Sequence, residues 1–265
     1  MIASSGRPDF LNPPVIEVVC GIQFEGLDDW KTPHYGLYWE RIRAEYPDCE
    51  DHPPLPRLRL DPTRGDETLQ IPHLLPLRRV FFIKPPGNFL IQLQPRRFLY
   101  NWRKVQDSDA YPRFDAPYEG FVKEWNRFRK FVDESELHQP QPDIFELTYI
   151  NHIFDQGVSF PRDVWKYLGF YGTTPQATTA RDATGLALQV IWPLPDSLGT
   201  LVLDLKHGHR MKDEGEVLLL ELSARGKATT DIADMNRWFS VAHTAIVTTF
   251  AVLTTVEAHA LWGKK

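Results

Sequence analysis

Short segments in which apolar and polar residues alternate make up much of the chain, and this period of two is typical of β-strands with one buried face. Longer segments repeat apolar residues every three or four positions, which is typical of helices packed on a core. The alternating pattern predicts eight strands, at residues 15–24, 80–83, 89–94, 97–103, 144–154, 186–192, 200–206 and 217–224.

Helical periodicity is clearest after residue 115. Over residues 116–134 an aromatic and aliphatic stripe recurs at helical spacing, formed by Tyr118, Phe121, Trp125, Phe128 and Val132. Such a stripe usually packs in a core. Further helices are predicted at residues 34–46 and 232–256, with a shorter one around 162–168. Asp231 is placed to cap the helix that follows it, because its carboxylate can accept the first free backbone N–H groups.

The predicted elements occur twice in the same order: strand, helix, three strands, long helix. The segment 138–142, HQPQP, separates the two sets. We therefore predict an α+β fold with an N-terminal half at 1–138 and a C-terminal half at 143–265, each a curved sheet on a long helix. The TATA-binding-protein-like and helix-grip folds have this arrangement. No residue-level repeat accompanies the repeated order.

A proline-rich stretch interrupts the first half at residues 48–76. Prolines disfavour continuous helix and central strand, so the pattern predicts a loop. This loop could lie over the fold, or it could be an arm that binds a partner, because the PPLPRLR segment resembles a polyproline ligand.

Composition excludes several classes of protein. The 265 residues are 42% hydrophobic and 25% charged, which is typical of a globular chain. No apolar run reaches the roughly 18 residues of a membrane span, and the first 14 residues lack the apolar core of a signal peptide, so we expect a cytoplasmic protein without membrane contact. Two cysteines are too few for a disulfide framework.

Charge is distributed unevenly along the chain. Residues 55–130 contain 15 basic and 8 acidic side chains, whereas the remainder contains 15 basic and 27 acidic ones. This asymmetry indicates either an anionic partner at the basic segment or packing of the two regions on each other. The pI of about 6.0 argues against a dedicated nucleic-acid-binding protein.

Several motifs together resemble a known group of sequences. They are NPPV at 12–15, LQPRRFLYNWRK at 93–104, YPRF at 111–114, ELTYINHI at 146–153, LELSARG at 220–226 and LWG at 261–263. In combination they resemble a sporadically distributed bacterial family of uncharacterised proteins of about this length. The resemblance implies a self-contained bacterial intracellular protein and brings no catalytic residues.

The densest group of polar residues lies on two neighbouring strands. Strand alternation places Gln92 and Gln94 on one face, beside Arg97, Asn101 and Arg103 of the next strand. An arginine side chain can donate two parallel hydrogen bonds to a carboxylate or phosphate. The pattern indicates either a site for an anionic ligand or an exposed sheet face of mixed charge.

Asn151 and His152 lie within an otherwise apolar strand. A buried polar pair needs hydrogen-bond partners, so a structural network is the favoured interpretation for Asn151. Asn151 is also a candidate ligand-binding residue. His152 is the best candidate for a general acid or base, because imidazole titrates near neutral pH.

A metal-like spacing occurs once in the chain, at Asp204, His207 and His209. Two histidines and a carboxylate can bind zinc, although the surrounding KHGHRMKDEGE segment is equally typical of a polar hairpin loop.

The favoured interpretation is a non-enzymatic binding protein without a cofactor. It is expected to form a dimer and to recognise an anionic small molecule or a protein segment on the polar sheet face. The alternative is a hydrolase or nuclease that uses His152 or a metal at His207 and His209. Direct nucleic-acid binding by the basic first half is the least favoured hypothesis.

Overall fold

The computed structural model describes residues 6–61, 77–154, 158–171, 183–210 and 214–265. Nine strands of this part of the chain form one antiparallel sheet in the order β2-β3-β4-β5-β1-β6-β9-β8-β7. In chain order they are β1 Val15–Glu25, β2 Asp48–His52, β3 Arg79–Lys84, β4 Phe89–Gln94, β5 Arg97–Arg103, β6 Gln141–Ile153, β7 Ala187–Pro193, β8 Thr200–His209 and β9 Glu216–Lys227.

Four α-helices accompany the sheet in the described residues. They are α1 Thr32–Ile42, α2 Asp115–Glu134, α3 Ile232–Leu253 and α4 Val256–Leu261. Helix α2 packs on β5 and β1, and α3 packs on β6, β8 and β9. The predicted N-cap of α3 is confirmed, because the Asp231 carboxylate accepts hydrogen bonds from the N–H groups of Ala233 and Asp234. One antiparallel sheet with separate helices confirms the predicted α+β class.

The two faces of the sheet differ because the strands alternate. The face under the helices is apolar, and its aromatic residues pack on the stripe of α2, as Trp125 does against Phe24 and Phe98. The opposite face carries the polar residues of β1, β4, β5 and β6, and we call it the polar face. Burial of one apolar face by long helices explains why both helices have an apolar stripe.

Strands β1 and β6 pair at the centre of the sheet, from Val15 opposite Asn151 to Glu25 opposite Gln141. Strands β5, β4, β3 and β2 extend from β1 to one side, and β9, β8 and β7 extend from β6 to the other. The segments before and after the predicted boundary at 138–142 thus contribute to one continuous sheet.

Part of the proline-rich stretch forms a strand, which differs from the loop predicted for residues 48–76. Asp48–His52 pairs with β3 as the edge of the sheet. Its residues are polar and mostly exposed, so they carry no apolar alternation from which a strand could be recognised. The hypothesis for residues 62–76 lies outside the described residues.

Residues 53–61 cross the polar face instead of leaving the fold. The backbone of Leu55 bonds the side chain of Gln94 on β4, and the backbone of Leu58 bonds Gln23 on β1. The hydroxyl of Thr200 on β8 donates to the carbonyl of Leu60 at 3.0 Å. We call residues 53–61 the strap. This described part of the stretch lies over the fold.

Other boundaries shift by a few residues. Helix α1 begins two residues earlier than predicted and ends at Ile42. Strand β8 continues through His207 to His209, because these residues pair with β9 where a polar hairpin loop was the competing interpretation. Helix α3 ends at Leu253, where Thr254 is extended, and α4 follows. No helix among the described residues is long and apolar enough to cross a membrane.

Candidate functional site

The five polar residues predicted on β4 and β5 share the polar face, and four of them are buried: Gln92, Gln94, Arg97 and Asn101. Arg103 is half-buried, and its Nε donates to the Gly87 carbonyl at 3.0 Å. The buried groups bond mainly to other parts of the protein. This arrangement lowers the cost of burying them and uses much of their capacity to bind a ligand.

Arg97 forms an ion pair with Glu146 in the interior, and each side chain is only 7% exposed. Both Nε and Nη2 of Arg97 donate to Oε2 of Glu146. The two residues lie on β5 and β6, with β1 between them. Gly21 of β1 lies opposite both Leu99 and Glu146 in the register. A Cβ atom added there would lie 3.3 Å from Oε2 of Glu146. The missing side chain at Gly21 therefore leaves room for the ion pair.

Gln94 and Gln23 bind the strap through their side-chain amides. Gln94 accepts from the N–H of Leu55 at 3.0 Å and donates to its carbonyl at 3.1 Å. Gln23 accepts from the N–H of Leu58 at 2.7 Å and lies 3.4 Å from its carbonyl. Each amide thus pairs with a backbone unit as a neighbouring strand would. The polar face holds an extended segment of its own chain.

Gln92 and Asn101 also have partners within the protein. Gln92 accepts from Nη1 of Arg79 at 2.9 Å, and Asn101 donates to the carboxylate of Glu17. Burial raises the pKa of Glu17, and the hydrogen bond from Asn101 opposes that shift. Oδ1 of Asn101 is buried and has no hydrogen-bond partner among the described residues.

Asn151 and His152 point to opposite faces of β6. Asn151 is buried on the helix side, where its side chain donates to the carbonyl of Leu220 at 3.1 Å. His152 is half-buried on the other face. Burial lowers the pKa of His152, and the positive charge of Arg210 lowers it further. Its imidazole is therefore neutral at pH 7, as a general base must be.

A cavity of about 1120 Å³ lies where β1, β5 and β6 end and the β8–β9 hairpin extends beyond them. The N-terminal segment 11–16, the loop 104–111 and residues 206–210 contribute to its wall, and Trp262 does so from the C-terminal end. Four cationic residues and two carboxylates line it: Lys104, Arg113, Lys206, Arg210, Asp107 and Asp109. His152, His207 and His209 line it as well.

Of the predicted metal-like trio, the structure brings two members together. His207 and His209 lie two residues apart on β8 and so share a face, with ring centroids 5.4 Å apart. Asp204 lies on the opposite face, because it is three residues from His207, and it accepts from Gln189 at 3.0 Å. Glu216, opposite His209 in the register, occupies the place expected for the carboxylate.

Glu216 and the cavity are the features that sequence reasoning missed. The identity of Glu216 as a neighbour of the histidines depends on the register of the β8–β9 hairpin, and a two-residue change of register would replace it. The cavity is formed by segments far apart in sequence, and no local pattern reports it. The one signal in the sequence is that histidine and glutamate both bind metals, which marks the whole HGHRMKDEGE segment as a possible source of ligands without selecting Glu216.

The two cysteines are poor nucleophiles. Cys20 is buried under the helices, and its burial raises the pKa of the thiol. Cys49 is exposed on β2, and desolvation together with the nearby Asp48 and Asp51 carboxylates raises its pKa to about 11. At neutral pH both are therefore thiols and not thiolates.

Comparisons with known proteins add no family to this description. No family model, no curated protein and no solved structure matches the chain. The functional argument therefore rests on the geometry alone.

Proposed function

We propose that the protein is a binding protein whose anionic ligand occupies the cavity at the end of the sheet. The observation that carries this proposal is the combination of volume and charge. A cavity of about 1120 Å³ is as large as those that hold cofactors and small molecules. Its four cationic residues outnumber its two carboxylates, and cations in a partly desolvated wall attract an anion.

The proposal moves the ligand away from the polar face that the sequence suggested. On that face Arg97 is already neutralised by Glu146, and Gln94 is engaged by the strap. A ligand or a partner segment would have to displace these bonds. On the cavity wall Arg113 is also paired, with Asp9 at 2.7 Å, so the proposal relies mainly on Lys104 and Lys206. Asp109 of the same wall accepts from the N–H groups of Val105 and Gln106, which fixes the neighbouring loop.

Calorimetric titration with inorganic pyrophosphate and with citrate tests the proposal and separates a phosphate from a carboxylate ligand. One site per chain is expected. Lys104→Ala and Lys206→Ala should each weaken binding by about tenfold or more, since a charge-assisted hydrogen bond contributes roughly 1.5–3 kcal/mol. Lys130→Ala is the matched control, because that exposed lysine lies on α2, outside the cavity lining.

Absence of binding by both probes would overturn the proposal, and so would equal binding by all three variants. Single-stranded DNA added at increasing salt distinguishes the nucleic-acid hypothesis. A nucleic acid that contacts many phosphate-binding groups would show a much steeper loss of affinity with salt than pyrophosphate does.

A hydrolase is the second candidate function, and one observation favours it: His152 and His207 line the same cavity. A neutral imidazole there could accept a proton from water. Hydrolysis of a chromogenic phosphate ester that is lost in His152→Ala would support this candidate. Ligand binding without turnover would support the binding protein.

An internal duplication, as in the TATA-binding-protein-like folds, is proposed from the topology. In both halves a central strand is followed by a meander that returns beside it and then by a long helix, α2 or α3. The meander has the predicted three strands in the second half, β7 to β9, and four in the first, β2 to β5, because β2 was not predicted. Helix α2 packs on β5 and β1, as α3 packs on β9 and β6. Superposition of the two halves should bring these strands and helices into register. A mismatch of the central strands β1 and β6 would contradict the duplication.

Self-association is proposed at the β7 edge of the sheet. The other edge strand, β2, carries Asp48, Glu50 and Asp51, which discourage pairing with another strand. Strand β7, with the sequence ALQVIWP, carries no charge. Light scattering should give the mass of a dimer, and Gln189→Lys should reduce it by placing like charges at the shared edge while keeping a donor to Asp204. A monomeric mass for the unchanged chain would exclude the dimer.

The cytoplasmic location and the bacterial family stay predictions.

A further inference from the structure

Three potential metal ligands meet at the loop end of the β8–β9 hairpin, where β8 ends and β9 begins. His207 and His209 project from the same face of β8, and Glu216 lies directly across from His209 on β9. One ligand atom from each residue lies within 4.8 Å of the other two. Two positions on one strand and the facing position on its neighbour form a compact triangle, because directly paired residues have their Cβ atoms about 5 Å apart.

One of these ligands is buried without a bonding partner. The His207 side chain is 9% exposed, and its Nε2 has no hydrogen-bond partner among the described residues. Oε1 of Glu216 lies 3.9 Å from that nitrogen, which is beyond hydrogen-bond distance. An unsatisfied buried polar atom costs about 1–3 kcal/mol, so its persistence calls for a partner.

The second oxygen of the Glu216 carboxylate is bonded to the backbone. Oε2 of Glu216 accepts from the backbone N–H of Phe160 at 2.8 Å. Oε1 is therefore directed towards His207. A hydrogen bond to the second oxygen of a ligating carboxylate is a common support of metal sites, since it fixes the orientation of the ligand.

We propose that His207, His209 and Glu216 bind one divalent transition-metal ion, with Zn²⁺ as the expected occupant. Two imidazole nitrogens and a carboxylate oxygen are ligands that Zn²⁺ accepts, whereas Mg²⁺ and Ca²⁺ prefer oxygen alone. Ligand atoms on one tetrahedral zinc lie about 3.4 Å apart, from Zn–N distances of about 2.05 Å. Nε2 of His207 and Oε1 of Glu216 are 3.9 Å apart, so these two atoms must move slightly closer and the exposed His209 side chain must turn towards them to close the triangle.

Three protein ligands leave the fourth position of a tetrahedral ion open. Because His207 and His209 line the cavity, that position is accessible from it. An oxygen of an anionic ligand or a water molecule would complete the coordination, as in zinc sites with two histidines and a glutamate. This last step rests on the proposed function, whereas metal binding itself does not.

The test is a titration of the full-length chain, stripped with a chelator and dialysed, with Zn²⁺ in competition with a chromophoric indicator. One Zn²⁺ per chain is expected. His207→Ala should weaken binding by at least about 100-fold, because loss of even an outer-shell partner costs 10- to 100-fold. His138→Ala is the matched control, since that histidine is 83% exposed and pairs with Asp29 elsewhere on the surface.

Two further variants protect the test against a folding defect. His209→Ala alters an exposed residue, and Glu216→Gln keeps the shape of the side chain. Both should lose Zn²⁺ affinity. Zn²⁺ should raise the melting temperature of the unchanged chain and leave that of the His209 variant unaltered, because only the state that binds is stabilised. Co²⁺ substituted for Zn²⁺ should give the visible absorption of a tetrahedral ion.

The proposal is overturned if the chain binds no stoichiometric Zn²⁺, which would leave His207 and Glu216 as a loose ion pair. It is also overturned if His207→Ala and His138→Ala bind Zn²⁺ alike. Its failure is distinguishable from failure of the proposed function. Pyrophosphate that binds the stripped chain would support the anion cavity without a metal, and Zn²⁺ that binds without any effect on pyrophosphate would support the metal site alone.

Discussion

Removal of the Arg97 guanidinium would leave the carboxylate of Glu146 in the interior without the cation that is hydrogen-bonded to it. In the native chain the two groups share two hydrogen bonds to one carboxylate oxygen. Nη1 of Arg97 also lies 3.4 Å from the carbonyl of Pro56 in the strap. Arg97→Ala therefore breaks the ion pair and loosens one contact of the strap.

The expected cost follows from the burial of the pair. With both side chains 7% exposed, solvent can screen little of the charge that remains. Removal of one partner from a buried pair costs about 3–5 kcal/mol of the free energy of unfolding. For a chain of this size each 1 kcal/mol lowers the melting temperature by about 2–4 °C, so a decrease of roughly 6–20 °C is expected.

Urea denaturation and calorimetry of Arg97→Ala, of a double variant with its two single changes, and of a control measure this cost. The double variant Arg97→Met with Glu146→Leu removes both charges and keeps most of the volume, so it should recover most of the loss. Arg78→Ala is the control for an exposed pair, because Arg78 and Asp51 are 70% and 55% exposed and their contact is 2.6 Å. That change should cost less than about 1 kcal/mol.

A loss below about 1 kcal/mol in Arg97→Ala would refute the reasoning, since removal of the cation bonded to a buried carboxylate is expected to cost several times more. So would a double variant whose loss equals the sum of the losses in Arg97→Met and Glu146→Leu alone. Additivity of that kind would mean that the two side chains do not interact.

Three further predictions concern stability. Gly21→Ala should destabilise the protein by about 1–3 kcal/mol, because its Cβ would lie 2.3 Å from Leu99 Cδ2. Gly36→Ala in α1 places its Cβ where no atom lies within 4 Å, so it should stabilise the protein by about 0.5–1 kcal/mol. Equal free energies of unfolding for the two variants in urea denaturation would exclude the steric explanation. Trp125→Ala should cost about 3–5 kcal/mol, and a loss below about 1 kcal/mol would remove this residue from the core. Burial lowers the pKa of His243 to about 3, so the unfolded chain takes up a proton below pH 6.5 that the folded chain does not. The free energy of unfolding should therefore fall as the pH drops from 6.5 towards 3, and this residue contributes a slope of up to about 1.4 kcal/mol per pH unit. His243→Phe should flatten that slope between pH 4 and 6. An unchanged slope would show that other groups cause it.

Strands with strict alternation could be predicted well from the sequence. The predicted bounds of Phe89–Gln94 and Arg97–Arg103 coincide with the structure. Each strand has one apolar face that must be buried, so the alternation in the sequence predicts which residues face the core. Helix α2 was predictable for the same reason, because its apolar stripe from Tyr118 to Val132 repeats over about four turns.

The elements that escaped prediction are held by groups other than apolar side chains. Strand β2 is an exposed edge that is held to β3 by backbone pairing and by the His52 ring stacked on Phe81. The strap has no repeating pattern, and its position depends on Gln23 and Gln94. The partner of Arg97 comes from β6, 49 residues away, so the sequence could show the arginine on the polar face and could not show that Glu146 neutralises it.

The strap has a consequence for hydrogen exchange. The amides of Leu55 and Leu58 lie outside every strand, yet they donate to the side chains of Gln94 and Gln23, which are 9% and 2% exposed. Their protons can exchange with solvent only when those glutamines release them. Two amides in an irregular segment would then exchange more slowly than their neighbours, and their rates would report the release of the strap from the polar face.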